Sequence, residues 1–155
     1  MYKMSMKITV TVAVMAGMGG AAFAAGSAAG IGIDDVLVGD PAQITVNQTS
    51  IVTGLAPGSA AQPLKGNFDN PNEGPVYINH VTATVIAVKD ATGHALPGCD
   101  ASDFSLAGTG AVNAVVPKGL GVGSWDNLTI AFNNKADTNQ DACQNARVAI
   151  GYMAN

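Results

Sequence analysis

From residue 43 onward, short runs of alternating apolar and polar residues are separated by turn residues. The clearest run is 128–132, in which Leu128, Ile130 and Phe132 alternate with smaller side chains. A period of two residues is typical of half-buried β-strands, and no stretch of residues 25–155 has a convincing helical period. About seven or eight such strands predict an all-β fold, an antiparallel β-sandwich. A small barrel is the alternative.

Turn residues set the limits of these strands. Leu55-Ala56-Pro57-Gly58 predicts a turn, because proline fixes φ at the corner and glycine accepts a positive φ. Asp69–Pro75 predicts a loop, and Pro117-Lys118-Gly119 predicts a turn. The glycine-rich run Gly119–Gly123 precedes no phosphate-binding helix, so we interpret it as a mobile turn between strands.

Two positions break the simple alternation. Val76 and Ile78 share a face with residues 81, 83, 85 and 87 only if one residue is inserted near Asn79-His80. The pattern predicts a β-bulge there, or a strand that passes from one sheet to the other. Trp125 does not share the parity of the 128–132 run, and we expect it at a strand end or partly exposed.

Residues 1–24 have the pattern of an export signal. Lys3 and Lys7 give a positive start, Ile8–Met18 is apolar, and Ala22-Phe23-Ala24 supplies the small residues that signal peptidase requires. The apolar run is shorter than the roughly 20 residues that a membrane-spanning helix needs. We expect cleavage after Ala24, and a retained N-terminal anchor is the competing interpretation.

The sequence therefore predicts three parts: a cleaved signal peptide (1–24), a flexible N-terminal segment that can form an edge strand (25–42), and one β-sandwich domain (43–155). Charged residues make up 12% of the chain, and the formal net charge is −4. An acidic chain with scattered lysines does not suit nucleic acid or anionic lipid, both of which require clustered positive charge.

Cys99 and Cys143 are the two cysteines of the chain. In an exported protein an even pair of cysteines is typically oxidised, so we predict a disulfide bond between them. A redox or metal site is the alternative, although the chain has no Cys-x-x-Cys motif. Because Cys99 follows Pro97-Gly98 and Cys143 precedes the final strand, we expect a peripheral disulfide that ties a loop to a strand end.

Several turn and strand motifs resemble immunoglobulin-like modules of bacterial surface proteins. They are Gly54-Leu55-Ala56-Pro57-Gly58, the strand 64–68 followed by Asn70-Pro71-Asn72, and Pro75-Val76-Tyr77-Ile78. The segments around Cys99 and Cys143 are similar to small secreted bacterial proteins of unassigned function. The resemblance spans about residues 43–153 and implies an immunoglobulin-like sandwich with an extracellular, structural or adhesive role. It carries no catalytic residue to this chain.

One segment has the oxygen-rich pattern of a calcium site. Asp137, Asn139 and Asp141 place carboxylate and amide oxygens at alternate positions, and calcium prefers such ligands. A full EF-hand loop would need Gly and Glu where Ala142 and Val148 stand. The alternative is a turn in which these side chains bond the local backbone. We otherwise expect no cofactor.

No motif assigns a catalytic residue. His80 and His94 lack the neighbouring ligands of a copper or zinc site. A glycan hydrolase would need two converging carboxylates, and the candidates for such a dispersed site are Asp100, Asp103 and Asp126, with His94.

The sequence thus favours a secreted or cell-surface, non-enzymatic structural or interaction module. Its partner would be a protein or a glycan at the cell surface, and the mature chain would have no transmembrane span. The alternative is a self-associating fibre or matrix subunit, in which the apolar segment Ile31–Val38 pairs with the open sheet edge of a neighbouring copy.

Overall fold

The computed structural model describes residues 9–14 and 43–155. These residues form eight strands: β1 (Thr9–Val14), β2 (Thr45–Gln48), β3 (Gln62–Asn70), β4 (Val76–Lys89), β5 (Phe104–Gly108), β6 (Ala111–Val116), β7 (Gly119–Phe132) and β8 (Arg147–Ala154). Two short 3-10 helices, Ala101–Asp103 and Asp141–Cys143, precede β5 and β8. The predicted cleavage point after Ala24 and the predicted segment 25–42, including Ile31–Val38, lie outside the described residues.

The strands form two four-stranded sheets. The first sheet has the order β1-β8-β4-β6, and the second has the order β2-β3-β7-β5. Neighbouring strands are antiparallel except for β1, which runs parallel to β8. One face of each sheet contributes to a shared apolar core. The predicted all-β sandwich is confirmed.

The turn at Pro57-Gly58 and the buried face of β3 are as predicted. Gly58 has φ of +70°, and the Ser59 amide donates to the carbonyl oxygen of Ala56 at 2.9 Å. Leu64, Gly66 and Phe68 are buried together. The predicted loop 69–75 is shorter than expected, because Asp69 pairs with Thr45 and β3 continues to Asn70.

The bulge predicted at Asn79 and His80 is present. The amides of both residues donate to the same acceptor, the carbonyl oxygen of Asn155, at 2.6 and 3.2 Å. Both side chains are exposed, whereas Ile78 and Val81 on either side are buried. The inserted residue therefore keeps both halves of β4 directed at the core.

A second bulge in β4 was not predicted. Val85 lies opposite Ile150 and Ala87 lies opposite Ala149, so Ile86 is an extra residue. This insertion places Val88, instead of Ala87, on the buried face, where it pairs with buried Val148. The expectation that Ala87 shares the inward face is wrong for that reason.

The glycine-rich run 119–123 is part of a strand, which corrects its interpretation as a mobile turn. Between Asn70 and Leu64, three successive steps of two residues along β3 match steps of three residues along β7. Between the paired residues of each three-residue step lies one residue with positive φ: Gly121, Gly123 or Asn127. Residues with a left-handed backbone allow such repeated bulges without ending the pairing.

These bulges also explain the position of Trp125, which was expected at a strand end or partly exposed. The extra residue near Asn127 reverses the alternation between Trp125 and Leu128, so both side chains enter the core. Trp125 is only 2% exposed. The expectation of a strand-end or partly exposed Trp125 is wrong. Odd and even positions indicate opposite faces only in a strand without inserted residues.

Candidate functional site

The chemically richest region lies at one end of the sandwich, where β5 begins and β7 ends. Cys99 and Cys143 form a disulfide bond there, with a Cα–Cα distance of 5.1 Å. Both side chains are buried. The bond joins the loop before the first 3-10 helix to the last residue of the second 3-10 helix, shortly before β8. The predicted pairing of Cys99 with Cys143 is confirmed. We refer to this region as the disulfide end.

Asp103 is the centre of a buried polar network at the disulfide end. Its Oδ2 accepts from the backbone amide of Asp100 at 2.9 Å. Its Oδ1 accepts from Gln140 Nε2 at 2.9 Å and lies 2.9 Å from Lys135 Nζ. Asp103 is 3% exposed and Gln140 is 8% exposed. A charge so far from water is stabilised only when its oxygens are hydrogen-bonded in this way.

The network keeps Asp103 ionised. Burial by itself raises the pKa of this carboxyl, but the hydrogen bonds from the Asp100 amide, Lys135 and Gln140 outweigh it, so the pKa lies below its usual value. A carboxylate with donors on both oxygens is poorly placed to take or give a proton. Asp103 therefore holds the loops at this end of the sandwich together.

The side chains of Cys99, Asp103 and Cys143 bring three potential ligand atoms within 4.8 Å of one another. The two sulfur atoms are joined to each other, however, and a metal ion binds thiolates. Both oxygens of Asp103 already accept hydrogen bonds. The disulfide bond and the hydrogen bonds of Asp103 account for the short distances in this cluster without a metal ion.

An open groove of about 290 Å³ lies beside this network. Its lining is mostly polar. It consists of Pro57 from the turn before β3 and of residues that follow β7: Asn134, Lys135, Ala136, Thr138, Asn139, Gln140 and Asp141. Gln140 forms its inner wall, where Nε2 also donates to the carbonyl oxygen of Asn133 at 3.0 Å.

The calcium candidates lie at or near this groove. Asp137, Asn139 and Asp141 are all exposed. Asn139 Oδ1 accepts from the backbone amide of Asp141 at 2.8 Å, which is the local turn bond that competes with metal binding. This bond accounts for Asn139, and calcium binding at the three residues stays a prediction.

Of the acidic residues named for a glycan hydrolase, Asp100 and Asp103 lie together at the disulfide end, and Asp126 lies apart from them. Asp100 caps the first 3-10 helix, where Oδ1 accepts from the Ser102 amide at 2.7 Å. Asp126 lies on β7, six residues before Phe132, which pairs with Phe104 at the disulfide end. At about 3.3 Å per strand residue, roughly 20 Å separates Asp126 from Asp103. That separation exceeds the ~5–9 Å of paired catalytic carboxylates.

His94 belongs to a separate exposed turn. Its backbone amide donates to Asp90 Oδ1 at 3.0 Å, and its ring Nδ1 lies 2.8 Å from Thr92 Oγ1. The hydrogen bonds from the Thr92 hydroxyl and the His94 amide lower the pKa of Asp90 to about 2. These contacts close the turn between β4 and the loop that leads to Cys99.

A different surface feature emerges from the fold and was missed at the sequence level. Tyr77 and Val115 lie directly opposite each other on β4 and β6, and they are 56% and 60% exposed. They form an uncovered apolar pair on the outer face of the first sheet, which we call the Tyr77–Val115 patch. The alternation of Val76 and Ile78 already places Tyr77 outward, but no sequence signal pairs it with Val115.

A comparison with protein-family models, with curated proteins and with solved structures finds no match for this chain. Among residues 9–14 and 43–155, no helix has the length and hydropathy that crossing a bilayer requires.

Proposed function

We propose that the protein is an exported, non-enzymatic interaction module that uses the outer face of its first sheet to bind a protein partner outside the cell. The observation that carries this proposal is the Tyr77–Val115 patch. Tyrosine is enriched where proteins meet, because it combines a large apolar ring with a polar tip. An aromatic and an aliphatic side chain that neighbour each other offer a partner a small apolar anchor.

The disulfide bond and the leader-like N-terminal pattern support a role outside the cytoplasm. The Cys99–Cys143 bond requires an oxidising compartment to form and persist. The leader-like pattern of residues 1–24 supplies a route to such a compartment. A sandwich with a covalent cross-link at one end provides a rigid surface, which lowers the entropic cost of binding.

The positions of the acidic residues also favour an interaction role over a catalytic one. The buried acid Asp103 and the capping acid Asp100 both accept hydrogen bonds that stabilise loops. Asp126 lies on a different part of the surface. These placements give the disulfide end a structural role and leave the sheet surface as the better candidate for recognition.

Binding to envelope material from the source cells tests the proposal. The double variant Tyr77→Ser/Val115→Ser removes the apolar patch while leaving the core unchanged. Leu120→Ser is a matched control, because Leu120 lies on β7 of the second sheet and is 83% exposed. We expect the double variant to lose at least about tenfold in affinity for an isolated envelope protein, as anchor residues typically do, and Leu120→Ser to bind like the parent.

Equal binding of both variants and the parent would contradict the use of this surface. Binding that survives removal of envelope proteins but not of polysaccharide would assign the partner to glycans instead. A concentration-dependent increase in particle size of the purified mature protein would favour the fibre or matrix subunit.

A further inference from the structure

The polar groove at the disulfide end has walls that are held in place. The Asn133 amide donates to the carbonyl oxygen of Asp103 at 2.8 Å, and the Cys143 amide donates to that of Gln140 at 3.0 Å. Gln140 Oε1 accepts from the Lys135 amide at 3.0 Å. Cys143 is also fixed by the disulfide bond. A groove that is already ordered binds a ligand without the entropic cost of ordering it.

Another part of the lining comes from the turn at Pro57. The Gly58 amide donates to the carbonyl oxygen of Phe132 at 3.0 Å, which attaches this turn to the end of β7. A Cβ atom at Gly58 would lie 3.3 Å from Asn134 Cβ, so the turn packs closely against the loop that follows β7. Pro57 thereby adds a rigid apolar ring to a lining that is otherwise mostly polar.

The exposed lining residues offer several kinds of hydrogen-bonding group. Asn134 and Asn139 carry amides, Thr138 carries a hydroxyl and Asp141 carries a carboxylate. Asn139 Oδ1 accepts from the Asp141 amide, and Asn139 Nδ2 is a donor. Donors and acceptors that lie side by side suit a ligand whose own groups both donate and accept, as hydroxyl groups do.

The charge of the groove disfavours an anionic ligand. The Lys135 ammonium group lies 2.9 Å from Asp103 Oδ1 and donates to Ser102 Oγ at 2.7 Å, so its charge is balanced within the polar network. Asp141 lines the groove, and Asp137 lies in the same loop. These two carboxylates repel phosphate, sulfate and carboxylate groups.

We propose that this groove binds one end of a neutral glycan. A neutral sugar ring carries hydroxyl groups at its edge, which match the polar lining, and an apolar C–H face, which matches the ring of Pro57. The groove volume of about 290 Å³ is close to the ~300 Å³ at which ligand pockets typically begin. It therefore suits the end of a glycan chain, and the rest of the chain extends into the solvent.

This site is separate from the Tyr77–Val115 patch, so the inference goes beyond the proposed function. Tyr77 lies near the beginning of β4, opposite Val115. Lys89, at the other end of β4, pairs with Arg147, which shortly follows Cys143. The length of β4 therefore separates the patch from the disulfide end, and a substitution in one site leaves the other unchanged.

NMR titration of the purified protein, with its disulfide bond intact and a chelator present, tests the proposal. The neutral probes are maltotriose, cellotriose and triacetylchitotriose, and the acidic probe is trigalacturonic acid. We expect at least one neutral probe to shift the amide signals of residues 134–141 with a Kd on the order of 1 mM. Trigalacturonic acid should bind at least about tenfold more weakly, because its carboxylates meet those of the groove.

Asp141→Ala and Asp137→Ala form a matched pair of variants. Each removes one exposed carboxylate from the same loop, and of the two residues it is Asp141 that lines the groove. We expect Asp141→Ala to weaken binding by at least about tenfold, since a hydrogen bond to a charged group is lost. Asp137→Ala should bind like the parent. Asn134→Ala, which keeps the Cβ atom beside Gly58, should weaken binding about fivefold.

Unchanged amide signals of β7 and β8 show that each variant is folded. The absence of shifts with every neutral probe up to about 50 mM overturns the proposal. Shifts confined to the outer face of the first sheet, an equal loss of affinity in Asp141→Ala and Asp137→Ala, or equally tight binding of trigalacturonic acid also overturn it. Binding that appears only when calcium replaces the chelator overturns direct recognition of the sugar by these side chains.

Discussion

The rings of Trp125 and Tyr152 meet between the two sheets, with their centroids 4.9 Å apart and their planes inclined at 45°. Each also bonds to β2: Trp125 Nε1 donates to the carbonyl oxygen of Asn47 at 3.1 Å, and the Tyr152 hydroxyl donates to Gln48 Oε1 at 2.6 Å. The short edge strand β2 is therefore attached to both sheets through one aromatic pair.

Gly66 makes the contact between Trp125 and β2 possible. A Cβ atom at this position would overlap the carbonyl oxygen of Asn47 and lie 2.8 Å from Trp125 Nε1. We expect Gly66→Ala to lower the free energy of unfolding by about 2–3 kcal/mol, because β2 and the indole would both have to shift.

Gly74→Ala is the matched control for this substitution, since a Cβ there has no atom within 4 Å. Denaturant unfolding followed by Trp125 fluorescence measures both variants. The control should stay within about 0.5 kcal/mol of the parent. A stable Gly66→Ala protein with unchanged fluorescence would contradict the close approach described here.

Tyr152→Phe removes the hydroxyl while keeping the ring. The loss of its hydrogen bond to Gln48 should lower the free energy of unfolding by about 1 kcal/mol at neutral pH. Gln48→Glu, which keeps an acceptor near the hydroxyl, is a useful companion variant. If Tyr152→Phe unfolds at the same denaturant concentration as the parent, the hydroxyl contributes nothing to the attachment of β2.

The buried hydroxyl of Tyr152 also leads us to expect a loss of stability at alkaline pH. Burial raises the pKa of Tyr152 well above its usual value of 10.0. Folding therefore favours the protonated phenol, and the contribution to stability that is present below pH 10 is lost as the pH rises above it. We expect the melting temperature of the parent to fall more steeply above pH 10 than that of Tyr152→Phe, measured by circular dichroism.

Alternation and turn residues predicted the strands well, because each half-buried strand needs an apolar side chain at every second position. They failed where strands contain insertions. The bulge at Asn79 and His80 could be predicted, since valines on both sides make the break in parity visible. The bulges of β7 could not, because Gly121 and Gly123 have no side chains from which to read a face.

The polar network at the disulfide end was only partly predictable. The Cys99–Cys143 pair followed from the number of cysteines and the leader pattern. The role of Asp103 could not be predicted, because its partners Lys135 and Gln140 are far away in sequence and meet it only in the fold. Likewise, the Tyr77–Val115 patch depends on the register of β4 with β6.

The disulfide bond should contribute strongly to stability. It joins residues 44 positions apart, and the loss of a cross-link of this span typically lowers the free energy of unfolding by about 2–4 kcal/mol. We expect Cys99→Ala/Cys143→Ala to show such a decrease in denaturant unfolding, and the reduced parent to behave similarly. A double variant as stable as the oxidised parent would show that the Asp103 network alone holds this end together.

Asp103→Asn tests that network directly. The asparagine amide keeps the shape of the side chain but removes the negative charge. In the parent, that charged carboxylate faces Lys135 and accepts a hydrogen bond from Gln140. We expect the free energy of unfolding at neutral pH to fall by about 2 kcal/mol, the usual scale for a buried hydrogen-bonded charge. Asp126→Asn, at an exposed position of β7, is the control and should change it by no more than about 0.5 kcal/mol.

The acid dependence supplies a second measurement for the same variant. The pKa of Asp103 lies below 3.8 in the folded protein, because the hydrogen bonds to its carboxylate outweigh the effect of burial. Its contribution to stability is therefore present above about pH 4 and is lost as the pH falls through the folded-state pKa. Melting temperatures between pH 2 and pH 7 should converge for the parent and Asp103→Asn at the acid end. A constant difference across that range would mean that the charge of Asp103 does not stabilise the fold.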